Sequence, residues 1–250
     1  MTATPPSFSS PPDSVWVRLG LVVRRERWAL SCRGALLVLL VIVLVAVAGL
    51  RIVCPFLAIT KRVPTDTLVV DGWLPTYDLN QVPAVYRAGG YQRLLVVRGV
   101  YDFEAVDNDR GNANYVTRVL VKHGVPAAQL NSVLFPGLRI DRTFGSAEAV
   151  KEWYRQHGLP LVSLDLATLG PHARRSRLLY QKAFGPGVEV GVIALDDPAY
   201  DPRRWWRSSE GVREVLFEFV AYIYVRFSFS PPQLSGLHLL PPTGESSVGR

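Results

Sequence analysis

Cysteine is nearly absent from this chain, and the two residues that occur build no framework. Cys32 and Cys54 stand at opposite ends of one long apolar run, so a disulfide between them is excluded. From residue 66 onward there is no cysteine, hence no thiol nucleophile and no cysteine-based metal site in that stretch. Histidine is scarce too. His123, His157, His172 and His238 are scattered without ligand spacing, which argues against a dedicated zinc site. A Walker loop, G-x-G-x-x-G, G-x-S-x-G and H-E-x-x-H are all missing. Most common nucleotide, dehydrogenase, hydrolase and zincin assignments fall with them. No internal repeat is visible.

Also lacking is a charge excess where a nucleic-acid binder needs one. The net charge of +7 is concentrated in residues 1–65, with eight Arg/Lys against two Asp/Glu. Residues 66–227 hold 19 against 18. The folded part is nearly neutral, so no nucleic-acid partner is expected.

What is present first is a long hydrophobic run. Gly34 to Leu50 carries no charge, is bracketed by Arg33 and Arg51, and is apolar all round. Ile52 to Ile59 extends it once Arg51 snorkels. The run predicts a transmembrane helix over 34–57, with the lipid bilayer as a partner. Arg18, Arg24, Arg25, Arg27 and Arg33 precede it, whereas only Arg51, Lys61 and Arg62 follow closely. The positive-inside rule then keeps the N-terminus in the cytoplasm. This describes a single-pass protein of the plasma (inner) membrane, its domain on the periplasmic side. Ala46-Val47-Ala48 before Gly49 also fits a signal-peptide cleavage site, which leaves a cleaved form as an alternative. Both forms place the domain outside.

The expected organisation is a basic, partly disordered N-terminus over 1–33, the anchor over 34–57, a domain over 61–230, and a Pro/Ser-rich disordered tail over 231–250. Apolar runs predict strands near 66–72, 93–98, 131–135, 161–169 and 188–195. Helical patterns fall near 78–88, 111–123, 143–157, 171–184 and 208–227, with Thr143 suited to cap the third of these. Strands alternating with helices predict an α/β, Rossmann-like parallel sheet with helices on both faces. The last helix is too short and polar to span, and is expected to pack on the sheet or rest against lipid headgroups.

In such a sheet, ligands bind beyond the carboxyl ends of the strands. The densest cluster there is Thr168-Leu169-Gly170-Pro171-His172-Ala173-Arg174-Arg175-Ser176-Arg177. It turns a strand directly into a helix, and a helix N-terminus offers free N–H groups to an anion. His172 and Arg175, at i and i+3, can face one ligand, while Arg177 is expected to be solvated. Asp71 ends the first strand and suits a general base or a metal carboxylate, so a divalent cation is a possible cofactor. Gly72 and Gly99 allow close backbone approach, and Arg98 adds a cation. Arg142, Thr143 and Ser146 follow the third strand. Asp201 to Arg207, with Trp205 and Trp206, suits a pocket gate, a membrane-interface belt or an anchor for the last helix.

These residues resemble the ElyC/SanA/YdcF envelope proteins over about residues 66–227. The resemblance is carried by Leu68-Val69-Val70-Asp71-Gly72, Ala84 to Gly90, Arg142 to Ala147, and Thr168 with His172-Ala173-Arg174-Arg175. Asp71 and Trp73 stand where that family has glycines. Arg98-Gly99-Val100 replaces Ser-Gly-Gly, and Gly145-Ser146 replaces Glu-Asn. The resemblance implies a Rossmann-like domain on one N-terminal membrane helix, a link to envelope, peptidoglycan or lipid-carrier metabolism, and a late site glutamate, Glu218 or Glu214. It transfers no reaction.

Two functions follow as expectations. One is an enzyme acting on an anionic, phosphorylated envelope precursor, small or lipid-linked. Its catalytic residues would be Asp71 and His172, and its ligand contacts Gly72, Arg98, Gly99, Arg142, Thr143, Ser146, Thr168, Gly170, Arg174, Arg175 and Glu218. The other is a non-catalytic ligand sensor or envelope scaffold using the same pocket.

Overall fold

The computed structural model describes residues 31–100, 113–232 and 237–240. Residues 1–30 of the predicted N-terminal segment and most of the predicted tail lie outside the described residues. The chain divides into two compact units, Met1–Ala46 and Val47–Arg250. Helix α1, Cys32–Leu57, runs through the division. Among the described residues it is the one helix long and apolar enough to cross a membrane. In the first unit its leucines and valines are exposed on every side, as expected for a helix whose solvent is lipid.

The second unit is built on five strands: β1 (Thr67–Asp71), β2 (Arg93–Val100), β3 (Leu130–Pro136), β4 (Ser163–Leu169) and β5 (Glu189–Leu195). All pair in parallel, in the order β3-β2-β1-β4-β5. Every residue of β1 is buried, because it is the middle strand and both faces are covered. Helices α2 (Thr76–Leu79), α3 (Val82–Gly89) and α4 (Ala113–Lys122) cover one face, packing Leu79, Val82, Tyr86 and Leu120 on Leu68 and Val70. Helices α5 (Arg142–Gln156) and α6 (His172–Phe184) cover the other, packing Trp153, Leu179 and Tyr180 on Val69, Leu164 and Leu166. This is the Rossmann-like α/β layout. The strand order reverses between β1 and β4, and the chain leaves those neighbours in opposite directions.

Helix α7 (Ser209–Phe227) is capped by Ser208, whose Oγ accepts from Gly211 N–H at 3.1 Å. It rests mainly on α6 instead of on the sheet, and only its far end, with Val225 and Phe229, joins the core beneath α5.

Three boundaries differ from expectation. Helix α5 starts at Arg142, after Asp141 in the left-handed region (φ 51°), so Thr143 lies inside the helix and is not its cap. The domain begins earlier than residue 61: Cys54 and Leu57 are fully buried against Tyr200, Trp205 and Val215. Residues 237–240 are held against the domain. Leu240 N–H donates to Leu134 of β3 at 2.8 Å, and Leu237 and Leu239 pack on the core. A Leu-rich tetrapeptide meeting an open sheet edge explains that departure from a disordered tail.

Candidate functional site

The site grows from the alternation of two central strands. In β1, Val69 faces α5 and α6 while Leu68 and Val70 face the opposite layer. Asp71, two residues after Val69, therefore faces α6. Thr168 faces the same way, following Leu166 at period two. At the point of strand-order reversal, Thr168 Oγ1–H donates to Asp71 Oδ2 at 3.0 Å. Both side chains are buried. Burial pushes the Asp71 carboxyl above the usual carboxylate range, with His172, the Thr168 hydrogen bond, Arg175 and Trp73 pulling the other way.

Above them starts α6. His172 Nδ1 lies 2.9 Å from Glu218 Oε1 of α7. Arg175 grips the same carboxylate with two donors, Nε to Oε2 at 2.7 Å and Nη2 to Oε1 at 2.9 Å. Burial alone raises Glu218, but the hydrogen bonds from Arg175 and His172 outweigh it and hold the carboxyl down to about 2. Nδ1 faces two groups at 2.9 Å, the Glu218 carboxylate and Arg175 Nη2, so all three side chains form one cluster. Nε2 is buried and has no hydrogen-bond partner among the described residues. The Trp73 ring stands edge-on to the imidazole, with centroids 5.4 Å apart.

His172, Arg175 and Glu218 wall a cavity of about 570 Å³. Its rim is supplied by Arg98 and Gly99 of β2, then by Arg139, Arg142, Thr143 and Ser146 around the start of α5. Arg98 is oriented by Gly72, whose carbonyl accepts from Nη1 at 3.0 Å. A Cβ at Gly72 would stand 3.0 Å from Arg98 Cβ and from the Val97 carbonyl, so a larger residue there would press on Arg98. With Arg175 committed to Glu218, the remaining charged lining among the described residues is Arg98, Arg139 and Arg142 with Asp141 and Glu214. Burial and the nearby Glu218 push the Glu214 carboxyl upward, with His172 and Arg213 pulling the other way. Opposite the cations, Phe217, Ala221 and Tyr224 of α7 give the cavity an apolar wall.

The sequence-predicted residues thus divide. Arg98, Gly99, Arg142, Thr143, Ser146, His172, Arg175 and Glu218 come together around this cavity. Asp71 and Thr168 are not among its lining residues; they are buried below His172. Gly72 acts through its carbonyl on Arg98. Gly170 turns the other way, into a second cavity of about 590 Å³ shared with Asp196, Asp197 and Tyr200. Arg174 also points away, because consecutive helix positions diverge by roughly 100°. Its Nε donates to the Phe56 carbonyl, and its guanidinium lies 4.0 Å over the Phe56 ring. Arg177 is half-buried instead of solvated, donating to the Val190 carbonyl at 2.7 Å.

Trp205 and Trp206 line neither cavity. Trp205 Nε1–H donates to the Leu50 carbonyl at 2.8 Å, and Arg51 sits 5.6 Å over Trp206. They tie the end of α1 to the start of α7. Among the described residues no group of three or more His, Cys, Asp or Glu is placed to hold a metal ion. Sequence reasoning left the apolar wall out of the site. Its signal was faint: Glu214 and Glu218 one turn apart, among aromatics.

The chain matches no protein-family model and no curated protein.

Proposed function

We propose that this chain is a membrane-anchored protein whose domain binds, and chemically processes, an anionic phosphorylated precursor of the cell envelope. The observation that carries the reading is His172, held at Nδ1 by Glu218 and Arg175, with its Nε2 unpartnered among the described residues and its ring on the wall of a cation-lined cavity. A histidine fixed through Nδ1 presents Nε2 for acid–base work. Arg139 and Arg142 supply charge for a phosphate. The apolar wall suits a ligand with a hydrophobic portion, as a lipid-linked precursor has. The charge bias around α1 favours a cytoplasmic N-terminus and a domain on the periplasmic side. The resemblance to the ElyC/SanA/YdcF proteins directs the process toward peptidoglycan and envelope biogenesis, by analogy alone.

A second reading, a non-catalytic sensor or scaffold, is favoured by one specific observation. Asp71, the other acid–base candidate, is buried away from the cavity, so His172 has no second carboxylate aimed at a ligand from β1.

The test uses the full chain in detergent micelles. Its melting temperature is measured with polyprenyl phosphates, nucleotide sugars and inorganic phosphate, each with and without Mg²⁺. Ligands that stabilise wild type but not Arg139→Ala/Arg142→Ala support the anion site. Turnover that disappears in His172→Ala while binding persists supports the enzyme. Binding without turnover supports the sensor, and no stabilisation by any anion overturns both.

A further inference from the structure

Helix α7 has a second apolar side that the fold does not use. Leu216, Phe217, Val220, Ile223, Tyr224 and Phe227 recur at helical spacing, and all are exposed, Phe217 and Val220 at 66% and Phe227 at 75%. No described element covers them. Scattered surface hydrophobics need no explanation, but six large ones on one side of one helix form a patch of the kind that marks an interaction surface.

The surroundings of the patch select its occupant. The turn before α7 exposes Arg203, Arg204 and Arg207, and the helix itself exposes Arg213 and Arg226. Over the same residues only Asp201 and Glu210 are exposed acids. A symmetric pairing of two copies through α7 would bring these like charges together at a cost. An anionic surface would neutralise them. An aromatic and aliphatic face flanked by arginines has the composition of a segment lying in a bilayer interface.

We propose that the exposed face of α7 rests on a bilayer containing anionic lipid, so that the His172 cavity opens at the lipid surface. Phe217 and Tyr224 belong both to this face and to the cavity wall, so an amphiphile leaving the headgroup layer would reach Arg139 and Arg142 without crossing open water. This rests on the membrane-anchoring part of the reading above and not on the chemistry of the pocket.

The experiment places a benzophenone amino acid at Val220, at Phe227, or at Val162, which is exposed before the amino end of β4. The full chain is reconstituted in phosphatidylcholine vesicles with and without phosphatidylglycerol, then irradiated. Lipid adducts are expected at 220 and 227, several-fold above position 162, and stronger with phosphatidylglycerol. Arg204→Glu/Arg207→Glu/Arg213→Glu is expected to remove that phosphatidylglycerol dependence while the melting temperature stays near wild type. Covalent dimers at 220 would assign the face to a second copy and overturn the proposal. Adducts equal at all three positions, or none, would overturn it too. Anion-dependent melting of the same chain reads the pocket separately, so either idea can fail alone.

Discussion

Glu218 holds Arg175 by two hydrogen bonds, at 2.7 and 2.9 Å, and so fills with a built-in carboxylate the guanidinium that an exogenous anion would otherwise take. The consequence is a division of labour. Arg175 orients Glu218, both hold His172, and Arg139 and Arg142 of the cavity lining are placed to meet ligand charge.

Replacing Glu218 by glutamine leaves Arg175 as a largely buried cation without its partner. Removing one member of a buried ion pair costs about 3–5 kcal/mol. The pH dependence has a definite sign. The folded-state carboxyl titrates at about 2 against an ordinary 4.5, so its stabilisation is fully present above about pH 4.5 and is lost as pH falls toward 2. That component is worth roughly 3 kcal/mol. Denaturation of wild type and Glu218→Gln between pH 2 and pH 7 is expected to show a gap that narrows on acidification. A constant gap would mean Glu218 contributes shape and not charge.

Asp78 has the opposite sign. Both its carboxylate oxygens are buried without hydrogen-bond partners among the described residues, and burial together with nearby Asp197 pushes it up to about 6. Between its ordinary 3.8 and about 6, the unfolded chain releases a proton that the folded chain keeps. Stability therefore falls as pH rises through that window. Asp78→Asn is expected to raise stability at pH 7 by about 1–2 kcal/mol, allowing for solvent screening, and to flatten the slope between pH 4 and pH 6. Parallel melting curves for the two proteins across that range would contradict this.

The parallel sheet was legible because buried strands read as uninterrupted apolar runs, as in Leu68-Val69-Val70 or Leu164 to Leu169 broken only by Asp165 and Thr168. The pairing of His172 with Arg175 was legible from i,i+3 spacing. Glu218 entered only through a resemblance, since its place in the site depends on how α7 crosses α6, a tertiary angle that no local pattern encodes. Arg174 was misplaced for a related reason. Four basic or imidazole side chains in six residues cover more than one side of a helix, and spacing does not say which side meets the ligand. Nor could periodicity separate the exposed part of α1 from its buried end, because both are rich in apolar residues.

Gly191 tests packing far from the cavity. Its Cα lies where Asp165 spans two elements, accepting Val63 N–H at 3.0 Å and Tyr91 O–H at 2.6 Å. A Cβ on residue 191 would collide with Asp165 Oδ1 and come within 3.0 Å of the Lys61 carbonyl. Gly191→Ala must therefore displace a buried carboxylate from a donor. Overpacking and the weakened hydrogen bond together are expected to cost about 2–4 kcal/mol, read by denaturant titration. A loss below about 0.5 kcal/mol would show that the edge strand moves freely.

The end of α1 gives the last expectation. Cys54 and Leu57 are fully buried, Phe56 packs on Tyr222, and Trp205 donates to the Leu50 carbonyl. A chain cut at residue 61 would expose the cluster that these residues cover, including Val215 and Trp205. Burying one large apolar side chain contributes about 1.5–3 kcal/mol, so losing several is expected to remove about 5 kcal/mol, a large share of a domain's total stability. A fragment of residues 47–250 in mild detergent is therefore expected to melt well above a fragment of residues 61–250, and Trp205→Phe within the longer fragment should lower its melting temperature part of the way toward the shorter one, because the Leu50 hydrogen bond is lost. Equal melting temperatures for the two fragments would mean that residues 47–57 add nothing to the domain's stability. A large difference would mean that the end of α1 belongs to the domain core, where Phe56 meets Tyr222 of α7, the helix that carries Glu218.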